Sequence, residues 1–256
     1  MYKTLKAEDF KRMLGFDSKY KIDGLIVNGS YGAEQKFIYF KEQLDELGLK
    51  YASRALGGFL GEILEFEIKN KKYWFAVTYG GAKLSEYLHL ACLFGSKKNI
   101  LVGSCGGLNK QGESGDIIIP TSSFGDESFT RMYSKGRGNT FQAERKTSKS
   151  LYKIVLKGLK VWTGPVVTCQ AMLAETIKDI KKWEKLGYLG VEMESSCFFA
   201  VSSYFKIPAA AMLYITDNLV VGQKVGDESH VNGKEKRLLS KKEIFRVAIT
   251  ELISKR

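Results

Sequence analysis

Glu194 and Asp217 are the residues of this chain best placed to do chemistry, because each stands where an apolar run stops. The first closes Gly190-Val191-Glu192-Met193-Glu194, and the second closes Ala209-Ala210-Ala211-Met212-Leu213-Tyr214-Ile215-Thr216-Asp217. Two carboxyl groups in one crevice can divide the work, one accepting hydrogen bonds as an anion and the other carrying a proton to a leaving group. A third group is Val102-Gly103-Ser104-Cys105-Gly106-Gly107-Leu108, where a buried run ends in three glycines and a serine. Glycines there let backbone N–H groups approach an anion or a sugar closely.

The segment between the acids decides whether they meet. Ser195 to Phe205 has the length and apolar spacing of a short buried helix, so the order is strand, helix, strand. Such a crossover predicts two parallel strands with both acids at one carboxyl-terminal edge, where open α/β sheets bind small ligands.

The remaining elements supply the frame. Gly24 to Gly29 reads as a short strand ending in a polar glycine turn, followed by a helix from about Gln35 to Leu47. A strand pair covers Gly61 to Ile68 and Tyr73 to Thr78, and the flexible Tyr79-Gly80-Gly81 loop leads to a helix from about Lys83 to Phe94. Strands at 99–102, 115–120 and 166–169 and helices at 147–157 and 176–186 continue the alternation, with a polar loop from Phe124 to Thr140 that could cover a pocket. Strand and helix alternate almost throughout, which predicts an α/β fold with a mainly parallel sheet flanked by helices. No linker, repeat or low-complexity tract divides the 256 residues, so a single domain over 1–256 is expected.

Composition narrows the class of function. The longest strongly apolar stretch, Ile207 to Ile215, is too short to span a bilayer, and the start lacks a signal-peptide block, so a cytoplasmic protein without membrane contact is expected. Cys92, Cys105, Cys169 and Cys197 are widely spaced, and only His89 and His230 could complete a metal site, so no metal is expected. The net charge of +12 is spread as pairs such as Lys71-Lys72 and Lys241-Lys242, without the aromatic interleaving of a nucleic-acid binder. It could instead attract an anionic co-substrate.

Taken together, the glycine-serine segment, Gly190-Val191-Glu192-Met193-Glu194-Ser195-Ser196 and Ile215-Thr216-Asp217 resemble the nucleoside phosphorylase and nucleosidase superfamily, in the branch of hexameric purine nucleoside phosphorylase and uridine phosphorylase. The resemblance implies a mixed, mostly parallel sheet bent into a distorted barrel with helices around it, and a dimer-based homo-oligomer, often a hexamer. It implies that Glu192, Met193 and Glu194 hold the ribose, with Glu194 accepting from the 2′- and 3′-hydroxyls. It gives Gly29 and Ser104 to phosphate or water, Cys105, Gly106 and Met172 to the base, and the protonation of the base to Asp217 assisted by Arg237. Tyr214 or Phe124 could supply a stacking ring. The implied partners are a nucleoside and inorganic phosphate, with no organic cofactor.

These residue types suit the reaction. Cleaving an N-glycosidic bond develops oxocarbenium character on the sugar, so the base must gain a proton or hydrogen bond while the sugar is held. An aspartate at 217 favours a purine, whose N7 can take that proton.

The pattern departs from the family at the nucleophile. The arginine expected a few residues after Gly29 is missing from Ser30-Tyr31-Gly32-Ala33-Glu34-Gln35-Lys36, and Leu101 stands where a second is expected. Arg54 from a neighbouring subunit, or Lys36 or Lys83, could substitute, although lysine is a point charge and not a bidentate fork. Nucleosidases of the superfamily lack those arginines and position water with a first-loop glutamate, here Glu34. Phosphorolysis of a purine nucleoside is the leading expectation, with hydrolysis and non-catalytic nucleoside binding as alternatives.

Overall fold

The computed structural model describes residues 2–134, 136, 138–224 and 226–254. After α1 (Ala7–Met13) come β1 (Gly24–Gly29) and α2 (Ala33–Glu46), then a meander of β2 (Ala52–Ala55), β3 (Ile63–Ile68) and β4 (Lys71–Thr78). Lys69 and Asn70 turn the β3–β4 hairpin at φ of 52° and 61°, the two positive values that match the twist of a tight hairpin. The chain continues through α3 (Gly81–Leu93), β5 (Asn99–Gly107), β6 (Ile117–Phe124), α4 (Ser128–Ser134) and β7 (Thr140–Gln142). It ends with α5 (Arg145–Ile154), β8 (Val161–Thr168), α6 (Ile177–Lys185), β9 (Gly190–Glu192), α7 (Ser195–Tyr204), β10 (Ala209–Asn218), α8 (Glu228–Asn232) and α9 (Lys234–Ile253).

Strands β10, β6, β8, β9 and β5 pair in that order, and β5 pairs back to β10, which closes a distorted barrel. From β5 the sheet runs on through β1, β4, β3 and β2. It is mixed: β1 with β4, β1 with β5, β5 with β10, β6 with β8 and β8 with β9 are parallel. The pairs β6–β10, β5–β9, β3–β4, β2–β3 and β6–β7 are antiparallel. Helices cover both faces, as the alternating pattern predicts. Phe40, Phe75 and Phe245 join α2 and α9 to one face. Trp74, Tyr87, Phe198 and Phe199 join α3 and α7 to the other. Helix α7 is buried all round from Ser195 to Ser202, and its small polar residues are tolerated because hydrogen bonds satisfy them.

Three expectations are corrected. β9 and β10 are not parallel neighbours: β9 runs antiparallel to β5 and β10 parallel to it, so the two strands run in opposite directions. The crossover rule assumes return to the same open sheet, whereas α7 carries the chain from one side of the barrel seam to the other. The glycine-serine segment is not a turn after β5 but its second half, paired to β10 and β9 through Gly107. The 124–140 segment is not simply a loop, since it contains α4, while Lys135 and Arg137 lie outside the described residues.

Candidate active site

Glu194 ends the Gly190–Glu194 run as the residue that caps α7, and only 6% of it is exposed. Its Oε1 accepts the Gly80 N–H at 2.7 Å. Its Oε2 lies against Gly29, 2.5 Å from where a side-chain carbon on that residue would stand. Only glycine at the end of β1 allows this approach. Burial and the neighbouring charge of Glu192 push the Glu194 carboxyl up to about 8, against the pull of the N–H groups of Gly80 and Met193.

Glu192 is as buried, and both of its oxygens are engaged. Oε1 accepts from Thr168 Oγ1 at 2.7 Å and Ser195 Oγ at 2.5 Å, and Oε2 accepts the N–H groups of Glu194 and Ser195 at 2.7 Å each. Burial raises its carboxyl on balance, while these four donors pull it back down and favour its charged form. Saturated in this way, Glu192 has no oxygen turned to a ligand and instead fixes the strand-to-helix turn that presents Glu194. Met193, half-buried between them, offers its carbonyl to Gln170 Nε2.

Asp217 reaches the same region from β10. The ladder with β5 shifts register between Ile215 and Asp217, which brings Asp217 opposite Gly106 while Val191 flanks Gly106 from the other side. Such a shift re-aims a side chain. Asp217 is 5% exposed and accepts from the Thr216 hydroxyl, which also bonds the Cys105 carbonyl. Arg237 does not stand against Asp217 by a bond of its own; its Nη1 donates to Ser114 Oγ at 3.0 Å, and that hydroxyl donates to the Thr216 carbonyl at 2.8 Å. It is thus one hydroxyl from the peptide that carries the acid.

Gly29 at the end of β1 and Ser104 within the adjacent β5 lie together on a cavity of about 40 Å³ that also meets Tyr214 and the helices α2 and α9. Tyr214 stands beside Ser104 on that cavity and packs against the core on its other side. The other members of the set separate. Glu34 is exposed on α2 and does not line this cavity. Arg54 lies on the outermost strand β2, paired with Glu65 at 2.8 Å, so within one protomer it is remote from Gly29. Lys83 pairs with Glu62 at 2.6 Å.

On the base side, Cys105 points into the barrel and is 3% exposed, with burial holding its thiol well above the usual range. It is a packed thiol, raised further by the charges of Glu192 and Asp217 nearby. Gly106 is met by Leu219, whose Cδ1 lies 2.6 Å from where a side-chain carbon would be. Met172 is half-exposed on the Met172–Ala174 turn. Phe124, with Tyr188 at 6.3 Å between ring centroids, packs near Val191 and Leu219.

Several contributors escape a reading by motif. Gln170 takes the Gly81 N–H at 3.0 Å while holding Met193, so it ties the Gly80-Gly81 loop to the segment that carries Glu194. Thr168 bridges Glu192, Ser123 and the N–H of Ser196. Thr78 Oγ1, beside Gly29 in the ladder, is buried without a partner, as is Asn28 Oδ1 next to it. The paired glycines at 80–81 were the visible signal for the first of these; the rest depend on which strands adjoin.

The sequence model of the phosphorylase superfamily matches residues 61–251. The chain belongs to the phosphorylase superfamily. A purine nucleoside phosphorylase of the DeoD type from Clostridium beijerinckii is 28% identical over 205 residues, covering 75% of this chain and 84% of the relative. The DeoD-type enzymes of Alkaliphilus metalliredigens and Clostridium novyi are 27% and 30% identical, over 66% and 57% of their own lengths. In fold, the chain is similar to a uridine phosphorylase from Vibrio fischeri solved with 6-hydroxy-1-naphthoic acid, with a TM-score of 0.75 at 20% identity over 95% of this chain and 97% of that one. The protein is therefore an enzyme of the nucleoside phosphorylase type, a pentosyltransferase, and its barrel is that of the superfamily. No helix among the described residues is long and apolar enough to cross a membrane, and no group of three or more potential metal ligands occurs among them.

Proposed function

We propose that this superfamily member cleaves the N-glycosidic bond of a purine nucleoside by phosphorolysis, giving free base and pentose 1-phosphate. The observation that carries the reading is the pair of buried acids on the two flanks of β5: Glu194 held between Gly80 and Gly29, and Asp217 opposite Gly106. Ionised Glu194 accepts from the ribose hydroxyls and aligns the sugar, with Met193 beneath it. As the bond between C1′ and the base nitrogen breaks, its electron pair moves into the purine and Asp217 delivers a proton to N7. A phosphate oxygen then forms the new bond to C1′. Arg237 supports Asp217 through Ser114. The purine preference rests on Asp217 and on the purine nucleoside phosphorylases among the relatives, since a pyrimidine has no N7.

Hydrolysis is the weaker reading because Glu34, its water-positioning candidate, is exposed on α2 and off the cavity of Gly29 and Ser104. The proposal includes inorganic phosphate as co-substrate, no cofactor, a cytoplasmic setting and a dimer-based homo-oligomer in which Arg54 would serve a neighbouring site.

Purified protein given inosine, adenosine or methylthioadenosine with and without phosphate tests the whole. Sugar 1-phosphate is expected, formed only with phosphate; equal base release without it would overturn phosphorolysis.

A further inference from the structure

We propose that Lys36 and Lys241 form the phosphate seat of this enzyme, with Asn28 accepting the hydrogen of the monoprotonated anion. The inference rests on the phosphorolytic reading and names the groups that stand in for the missing arginines. Lys36 near the start of α2 and Lys241 on α9 come from opposite ends of the chain, yet both line the cavity of Gly29, Ser30 and Ser104.

No carboxylate lines that cavity, and neither lysine has an ion pair among the described residues. Lys241 is held with its ammonium 4.2 Å from the centroid of the Tyr39 ring. Burial and then the charge of Lys36 depress its pKa, so the pair is electrostatically unfavourable as it stands. A bound dianion removes that penalty for both cations.

Asn28 supplies the second and independent observation. It is 5% exposed and its Nδ2 donates to the Val102 carbonyl at 3.2 Å, but Oδ1 in the same cavity wall has no partner. A buried acceptor without a donor costs free energy that a ligand O–H restores. Monohydrogen phosphate carries both what the lysines need, its charged oxygens, and what Asn28 needs, its one hydroxyl. Sulfate matches it in shape and charge but has no hydrogen to give at neutral pH. The seat also adjoins the sugar site, because Gly29 borders both the cavity and the Glu194 carboxyl.

Calorimetric titration of inorganic phosphate, and separately of sulfate, into the full-length protein tests this. Wild type should bind phosphate clearly more tightly than sulfate, and Asn28→Ala should narrow the difference. Lys36→Gln and Lys241→Gln should each weaken phosphate at least ~10-fold, with KM for phosphate rising and KM for nucleoside held within about twofold. Phosphate affinity unchanged in the double variant, or no phosphate binding by wild type, overturns the seat. Turnover that still requires phosphate in an unaltered double variant would leave phosphorolysis standing and sink the lysines. Phosphate binding lost in the variants, with base release indifferent to phosphate, would do the reverse. Should the variants fold poorly, acetylation of Lys241 in wild type is read by mass spectrometry; protection by phosphate is expected, and none would overturn the proposal.

Discussion

Glu192 accepts the backbone N–H of Glu194 at 2.7 Å, so of two buried carboxyls two residues apart, one is built to carry the charge and to hold the other in place. The saturated acid anchors, and the raised acid faces Gly29 and Gly80.

That arrangement sets a pH dependence. Glu194 is pushed from an ordinary 4.5 up to about 8, so the folded protein holds a proton there that the unfolded chain has released. Its contribution to stability is full below about 4.5 and is lost as pH rises through about 8. In the proposed mechanism the ionised form accepts from the ribose, so kcat/KM should rise as stability falls over the same window. Glu194→Gln should flatten the melting temperature from pH 5 to 9 and lower kcat/KM by ~10- to 100-fold. An unaltered pH slope of melting would assign the proton elsewhere.

Asp217→Asn should slow purine nucleosides by at least ~100-fold with circular dichroism unchanged. Arg237→Met, acting through Ser114, should cost less, on the order of 10-fold, and Ser114→Ala should reproduce most of it. If the arginine variant is slower than the aspartate variant, the order of the two roles is wrong.

Glu192→Gln turns an amide toward a cluster of four donors. We expect a loss of about 2–4 kcal/mol of stability, read as a lower melting temperature. KM for nucleoside should rise more than kcat falls, because the variant misplaces Glu194 without touching the base.

Gly29→Ala tests close approach. A methyl group would meet Glu194 Oε2 at 2.5 Å, so the carboxylate must move. The expected result is a large rise in KM for nucleoside with modest unfolding, whereas wild-type kinetics would show that Glu194 does not bind from this position.

Much of this was legible from spacing. The strand end at Gly29, the apolar runs that close at Glu194 and Asp217, and helices expected from about Gln35 to Leu47 and Ser195 to Phe205 match β1, β10, α2 and α7 to within two residues. The directions of β9 and β10 were not legible, because a local crossover rule cannot see that the sheet closes on itself. The persistence of β5 through its glycines was hidden for a related reason: glycine weakens a strand in isolation, but here partners on both edges supply the ladder. Lys241 could not be paired with Lys36 from sequence, since only the packing of α9 beside α2 joins them.

The position of β5 between the two acids has a bearing on how substrate preference can change. Glu194 and Asp217 depend on strands hydrogen-bonded to opposite edges of one strand, so the sheet works as a ruler that fixes their separation. A new base cannot be accommodated by spreading them without tearing the barrel. On the proposed roles, selectivity would change most readily in the short turns at Met172–Ala174 and Leu219–Val221, while the spacing of the two acids is kept.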